Sequence, residues 1–252
     1  MTSLVSKFRP MDKVRLGMDE PQEDEYAVYR ITQFSPLERL VFPNNSNYFL
    51  LDLPSFLPEN SRLADWEQKL VWYFRKLSFK SGKPIVSKNP FNSLRIRELN
   101  KLFPEARFIH IYRNPFDVIP STIHMWNIIQ QQNSLNRQGR KPELDEVVTV
   151  FDRVLSAIRN DKESLPEKRF YEMPFEDLES DPVKEITKLY KAFNLNYNDE
   201  FEKKMISFLS DLQGFQKNIF HLTTAEKTRI YSRLRHHMEH FGYNQNFIGS
   251  IQ

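Results

Sequence analysis

The chain has 252 residues, enough for one large α/β domain, and its 40% apolar and 13% aromatic content, including 21 phenylalanines, suffices for a core and argues against a disordered chain. A formal net charge of +3, spread over 36 Lys and Arg among 33 Asp and Glu, gives no basic stripe for DNA or RNA and suits a small anionic ligand better than a polyanion. With no cysteine there is neither a disulfide framework nor a thiolate metal site. The first residues, Met1 to Lys7, form no apolar signal core, and no run reaches 18 apolar residues, so the expectation is a soluble, unsecreted protein without a transmembrane segment.

Taken in chain order, residues 1–60 read as an irregular N-terminal region. Within it 1–35 is charged with few periodic apolar positions, and 36–60 is rich in proline and asparagine. Residues 61–252 read as an α/β core with a helical C-terminal part, the whole being one domain over 1–252. Ser61 is a candidate N-cap for a helix to about Phe79, with Leu63, Trp66, Leu70, Tyr73 and Leu77 on one face. Pro84 to Ser87 reads as a first strand, broken by Lys88-Asn89-Pro90. Leu94, Ile96, Leu99 and Leu102 recur at helical spacing until Phe103-Pro104, with Arg95, Arg97, Glu98 and Lys101 on the other face. Arg107 to Tyr112 is a second strand, and Arg113-Asn114-Pro115 ends it and opens a helix to about Gln132. After a polar loop at 133–143, Leu144 to Lys162 is helical and Arg169 to Met173 is a third strand. Asp181 caps a helix with Pro182 at its first position, 198–212 and 223–241 are amphipathic helices, and Gly242 stops the last.

In a parallel α/β sheet, ligands bind beyond the carboxyl ends of the strands, and Lys88 and Arg113 both fall at such ends. Two cations there point to a phosphorylated ligand. Three acids in a row, Glu23-Asp24-Glu25, can raise one another's pKa into the range of a general base. His236 and His240 share a helix face at i, i+4, but no third ligand stands beside them in the sequence, so a solvated basic helix and no metal is the reading. No Ser-His-Asp grouping is visible, and a kinase is disfavoured because a Walker loop and its magnesium-binding hydroxyl are lacking.

The stretch Lys88-Asn89-Pro90, then Leu102-Phe103-Pro104, then Phe108-Ile109-His110-Ile111-Tyr112-Arg113-Asn114-Pro115 resembles the bacterial branch of the sulfotransferase family, whose members use 3′-phosphoadenosine 5′-phosphosulfate (PAPS). Arg9-Pro10-Met11-Asp12 and Pro21-Gln22-Glu23-Asp24-Glu25 upstream, Phe175-Glu176-Asp177-Leu178, and Phe241-Gly242-Tyr243 extend the resemblance over nearly the whole chain. It implies a P-loop-like three-layer α/β fold, with a parallel sheet flanked by helices, in a cytoplasmic transferase. It implies Arg113 and Ser121 on the cofactor's 3′-phosphate, Phe175 against the adenine in place of a tyrosine, and Lys88 stabilising charge at the transferred group. Asn92 stands where many members place a basic histidine, which leaves Glu23 or Glu25 as the expected base. The acceptor would be a hydroxyl or amine of a small molecule, lipid or sugar.

One family element has no counterpart. The Gly-x-x-Arg-Ser-Gly-Thr-Thr type loop that holds the 5′-phosphosulfate is not found, and Ser81-Gly82-Lys83-Pro84 is no substitute, since it follows a helix and runs into a proline. The expectation is an incomplete N-terminal part. The alternatives are a truncated or degenerate non-catalytic member, or one half of a split enzyme whose partner chain supplies the loop.

Overall fold

The computed structural model describes residues 8–12, 14, 17, 22–36, 57–133, 141–211 and 217–243. In chain order these form α1 (Asp24–Thr32), α2 (Asn60–Ser81), a 3-10 turn (Pro90–Leu94), α3 (Ile96–Leu102), β1 (Phe108–Tyr112), α4 (Pro115–Asn133) and α5 (Leu144–Lys162). A second 3-10 turn (Glu167–Arg169), β2 (Phe170–Pro174), α6 (Phe175–Ser180), α7 (Pro182–Ala192), α8 (Asp199–Asp211) and α9 (Thr224–His240) follow. The fold is mixed α/β, mostly helical, around a parallel pair of strands running in register from Phe108 opposite Phe170 to Tyr112 opposite Pro174. A parallel pair needs a long crossover, and α4 and α5 supply it.

Each long helix follows from its sequence. In α5, Val147, Val148, Leu155 and Ile158 are buried at helical spacing, and the Glu143 N–H donates to the Glu146 carboxylate at 2.9 Å to close its first turn. In α9 the Thr223 hydroxyl accepts from the Glu226 N–H at 3.2 Å while the Glu226 carboxylate takes the Thr223 N–H at 2.8 Å. Ile230, Leu234 and Met238 then meet Phe116, Ile119, Val147 and Val148 in the main core. Burying each such side chain contributes roughly 1.5–3 kcal/mol. Asp181 caps α7 as anticipated, accepting from the Lys184 N–H at 3.1 Å, and Gly242 takes the left-handed conformation (φ +78°) that stops α9.

The sheet is covered unequally. Phe108 and Phe170 pack on Ile96, Ile158 and Leu165, and Tyr112 packs on the main core. On the opposite face Met173 meets Leu189 of α7 and Phe193 just past its end, but the register neighbours Ile109 and Ile111 on β1 remain 46% and 49% exposed.

Several expectations are corrected. Residues 84–87 form no strand, so two strands rather than three are present among the described residues. The apolar run finds no neighbouring backbone to pair with, and Val86 is 92% exposed. Helix α2 starts from Glu59 without a side-chain cap, so Ser61 lies inside it. The 1–60 region is not wholly irregular, because α1 buries Glu25, Val28 and Thr32. Most of the 36–60 loop reading, and the tip of the 133–143 loop, fall outside the described residues.

Candidate active site

Parallel register brings the two strand ends together. Tyr112 lies opposite Pro174, so the residues that follow, Arg113 and Phe175, become neighbours. The Arg113 guanidinium lies 4.7 Å from the centre of the Phe175 ring, and the Lys217 ammonium stands 5.9 Å from the same ring. Arg113 Nη2 reaches Asp117 at 3.5 Å, the outer limit of a hydrogen bond. Its Nε is buried and has no hydrogen-bond partner among the described residues. A buried donor without a partner costs about 1–3 kcal/mol, and an anion on the guanidinium would remove that cost. Ser121 is half-buried on α4, one turn beyond Asp117 and therefore on the same helix face.

This corner is braced by its backbone. Asn114 caps α4, its side-chain oxygen accepting from the Phe116 N–H at 3.0 Å, which accords with its reading as a turn residue. The Asn114 N–H donates to Glu176 at 2.9 Å, and the Tyr243 hydroxyl donates to the other oxygen of Glu176 at 2.8 Å. Glu176 thus ties the end of β1, the start of α6 and the C-terminal segment. Burial, with Glu176 beside it, pushes the Tyr243 phenol far up, so it stays a donor.

A second cluster forms where α1 meets the loop before the first 3-10 turn. The Lys88 ammonium, 75% exposed, is ion-paired with Glu23. The Ser87 hydroxyl donates to Asp24 at 3.1 Å, and Asn92 donates to the Ser87 oxygen at 3.3 Å. Burial raises the Asp24 carboxyl, against the bonds from Ser87 and Asn89, and its Oδ1 is buried without a partner among the described residues. Glu25 points the other way and is fully buried. It takes both arms of Arg95, at 2.6 and 3.1 Å, the Asn89 amide at 2.7 Å and the Ser35 hydroxyl at 2.6 Å. Burial alone would raise this carboxyl, but Arg95, Ser35 and Asn89 together bring it below its usual value. Arg95 itself is sandwiched, 5.3 Å from the Trp66 ring and 5.9 Å from that of Phe91.

The structure therefore joins Lys88 to Glu23 and Arg113 to Phe175, leaves Ser121 on the adjoining helix, and turns Glu25 inward as an anchor that cannot reach an acceptor. Sequence reasoning missed three residues. Asp24 was visible within the acidic run, but which of its members would be buried was not. Arg95 looked like one more charge on a polar helix face. Lys217 carried no signal at all.

A sequence profile described as the sulfotransferase family matches residues 16–199. The chain is 30% identical over 245 residues to proteins named omega-hydroxy-beta-dihydromenaquinone-9 sulfotransferase Stf3, from Mycobacterium bovis and from Mycobacterium tuberculosis. The match covers 96% of this chain and 63% of theirs. Among solved structures, the sulfotransferase STF9 from Mycobacterium avium superposes with a TM-score of 0.65 at 18% identity, over 91% of this chain and 60% of that one, a likeness of fold.

Proposed function

The chain belongs to the sulfotransferase family, and from that premise we propose that it takes part in moving a sulfuryl group from PAPS to a hydroxyl-bearing acceptor. The observation that carries this reading is Arg113: a guanidinium at the carboxyl end of a parallel strand, lying on an aromatic face, with a buried Nε that lacks a partner. Such a group fits the 3′-phosphate of an adenosine nucleotide, with Ser121 adding its hydroxyl and Phe175 offering its ring to the base. No metal is needed for this arrangement.

PAPS supplies the sulfuryl group, whose bond to the leaving phosphate oxygen breaks as a bond from sulfur to the acceptor oxygen forms. Lys88 offers its ammonium to the charge that develops on the leaving oxygen. Glu23, ion-paired with Lys88, would take the acceptor's proton, and Glu25, bound to Arg95, would hold the start of α1 so that Glu23 meets Lys88. The acceptor is read as the hydroxyl of an apolar, lipid-like molecule. The exposed Ile85 and Val86 lie just before Lys88 in the chain, and the similar Stf3 proteins are named for a hydroxylated menaquinone derivative.

The chain spans 63% of the length of those curated relatives. A second reading, a half-site completed by further polypeptide, is favoured by the half-exposed Ile109 and Ile111 on an otherwise packed sheet. One assay addresses both. The chain is incubated with sulfur-35-labelled PAPS and either an ω-hydroxylated menaquinone-type lipid or a soluble sugar. Label on the lipid, lost in Lys88→Ala, supports the first reading. Label that persists in Lys88→Ala refutes the role of Lys88. No transfer by a chain that still binds the nucleotide supports the half-site.

A further inference from the structure

Where α9 packs on α5, away from the Lys88 and Arg113 clusters, three potential metal-binding side chains converge. Asp152 Oδ1 lies 3.2 Å from His237 Nε2 and 3.6 Å from His236 Nε2, and the three residues each bring one potential ligand atom within 4.8 Å of the others. Ligand atoms around a tetrahedral zinc, at bonds of about 2.0–2.1 Å, stand roughly 3.3 Å apart. Two further observations mark the cluster as more than an ion pair. Asp152 Oδ1 is buried, and its approach to the two imidazoles is an ion-pair contact without the alignment of a hydrogen bond. His237 Nε2 faces three oxygens at once, since the Asp152 carbonyl at 3.3 Å and the Ser156 hydroxyl at 3.4 Å also approach it, whereas one imidazole nitrogen offers a single proton or a single lone pair. The two imidazole rings lie side by side, 3.8 Å between centres, and direct their Nε2 atoms to the same carboxylate.

We propose that Asp152, His236 and His237 form a site for a borderline divalent transition metal of the zinc class. Two imidazoles and one carboxylate suit zinc, cobalt(II) or nickel(II) rather than magnesium or calcium. His236 is 54% exposed, so the fourth position opens to solvent. The metal would staple the last helix to α5, and through it stabilise the core that α9 shares with α4. The ligand set was hidden in the sequence because the third ligand comes from another helix, and because the adjacent His236 and His237 converge rather than the i, i+4 pair His236 and His240.

The test uses metal-free chain titrated with cobalt(II) and followed by visible absorption, with melting temperature measured with and without one equivalent of zinc. His236→Ala removes a solvent-facing ligand, and Asp152→Asn weakens the carboxylate donor. The proposal expects one equivalent of cobalt(II) to give the strong ligand-field bands of four-coordination, with affinity at least tenfold lower in either variant. Zinc should raise the wild-type melting temperature but not that of His236→Ala, whose metal-free melting should match wild type. Equal cobalt affinity and equal zinc response in wild type and both variants, or no binding at millimolar metal, would overturn it.

Discussion

Arg95→Met puts the anchoring of the acidic segment to a direct test. The substitution keeps an unbranched apolar stem between Trp66 and Phe91 but leaves the Glu25 carboxylate fully buried with only Asn89 and Ser35 as partners. Removing one member of a buried ion pair costs about 3–5 kcal/mol, because the remaining charge is uncompensated. That is a large share of the roughly 5–15 kcal/mol that separates folded from unfolded domains. Urea denaturation should show the unfolding free energy falling by about that amount, as a lower midpoint at unchanged slope. The double variant Glu25→Gln/Arg95→Met removes the stranded charge and should recover at least about 1 kcal/mol relative to Arg95→Met alone. The pH dependence has a definite sign. Since Glu25 is held below its usual value in the folded chain, its stabilisation is present above the unfolded carboxylate pKa and is lost as pH falls; Arg95→Met should flatten that acid limb. A cost below about 1 kcal/mol, or single-variant costs that simply add in the double variant, would refute the reasoning.

Two other predictions concern carboxylates. Glu23→Gln keeps a hydrogen-bonding partner for Lys88 but cannot accept a proton, so turnover should fall about 10²–10⁴-fold with nucleotide affinity unchanged; equal turnover would remove Glu23 from the proton path. Glu172, bonded to His110 at 3.0 Å and ion-paired with Lys162, is brought down to about 2 in spite of its burial. With a folded value below the unfolded one, it contributes about 3 kcal/mol above the unfolded carboxylate range, and this is lost as pH falls through the folded value of about 2. Glu172→Gln should therefore be less stable than wild type at neutral pH and equal to it at the acid end, as read by denaturant titrations across pH.

What the sequence disclosed about the fold and the site follows the range of the interactions involved. Helix α5 was legible to its end residues because its apolar spacing and its first-turn acids are local signals. The Arg113, Asn114 and Pro115 turn was legible for the same reason: strand, breaker and helix start adjoin in the chain. The strand expected at 84–87 failed because an apolar β-prone run becomes a strand only beside another backbone, and none adjoins it among the described residues. Arg95 was misread because it sits between the 3-10 turn and α3 with a non-helical backbone (φ −128°, ψ 14°), which takes it off the helical repeat and into the interior. Its partner Glu25 is remote in sequence, and no periodicity reports such a pairing. The same holds for Asp152 with the two histidines of α9. The pairing of Arg113 with Phe175 was hidden until the strand register was known, although each residue alone was marked by its position after a strand.

The proposed function rests on a nucleotide 3′-phosphate site at Arg113, where the carboxyl ends of β1 and β2 meet. Calorimetric titration of the chain with 3′-phosphoadenosine 5′-phosphate, beside Arg113→Ala and with adenosine 5′-phosphate as the ligand lacking the 3′-phosphate, tests it most directly. Binding should be saturable and should weaken at least about tenfold in Arg113→Ala, with folding unchanged by circular dichroism, and to a matching degree when the 3′-phosphate is absent. Binding of equal strength in the variant, or indifference to the 3′-phosphate, would contradict it.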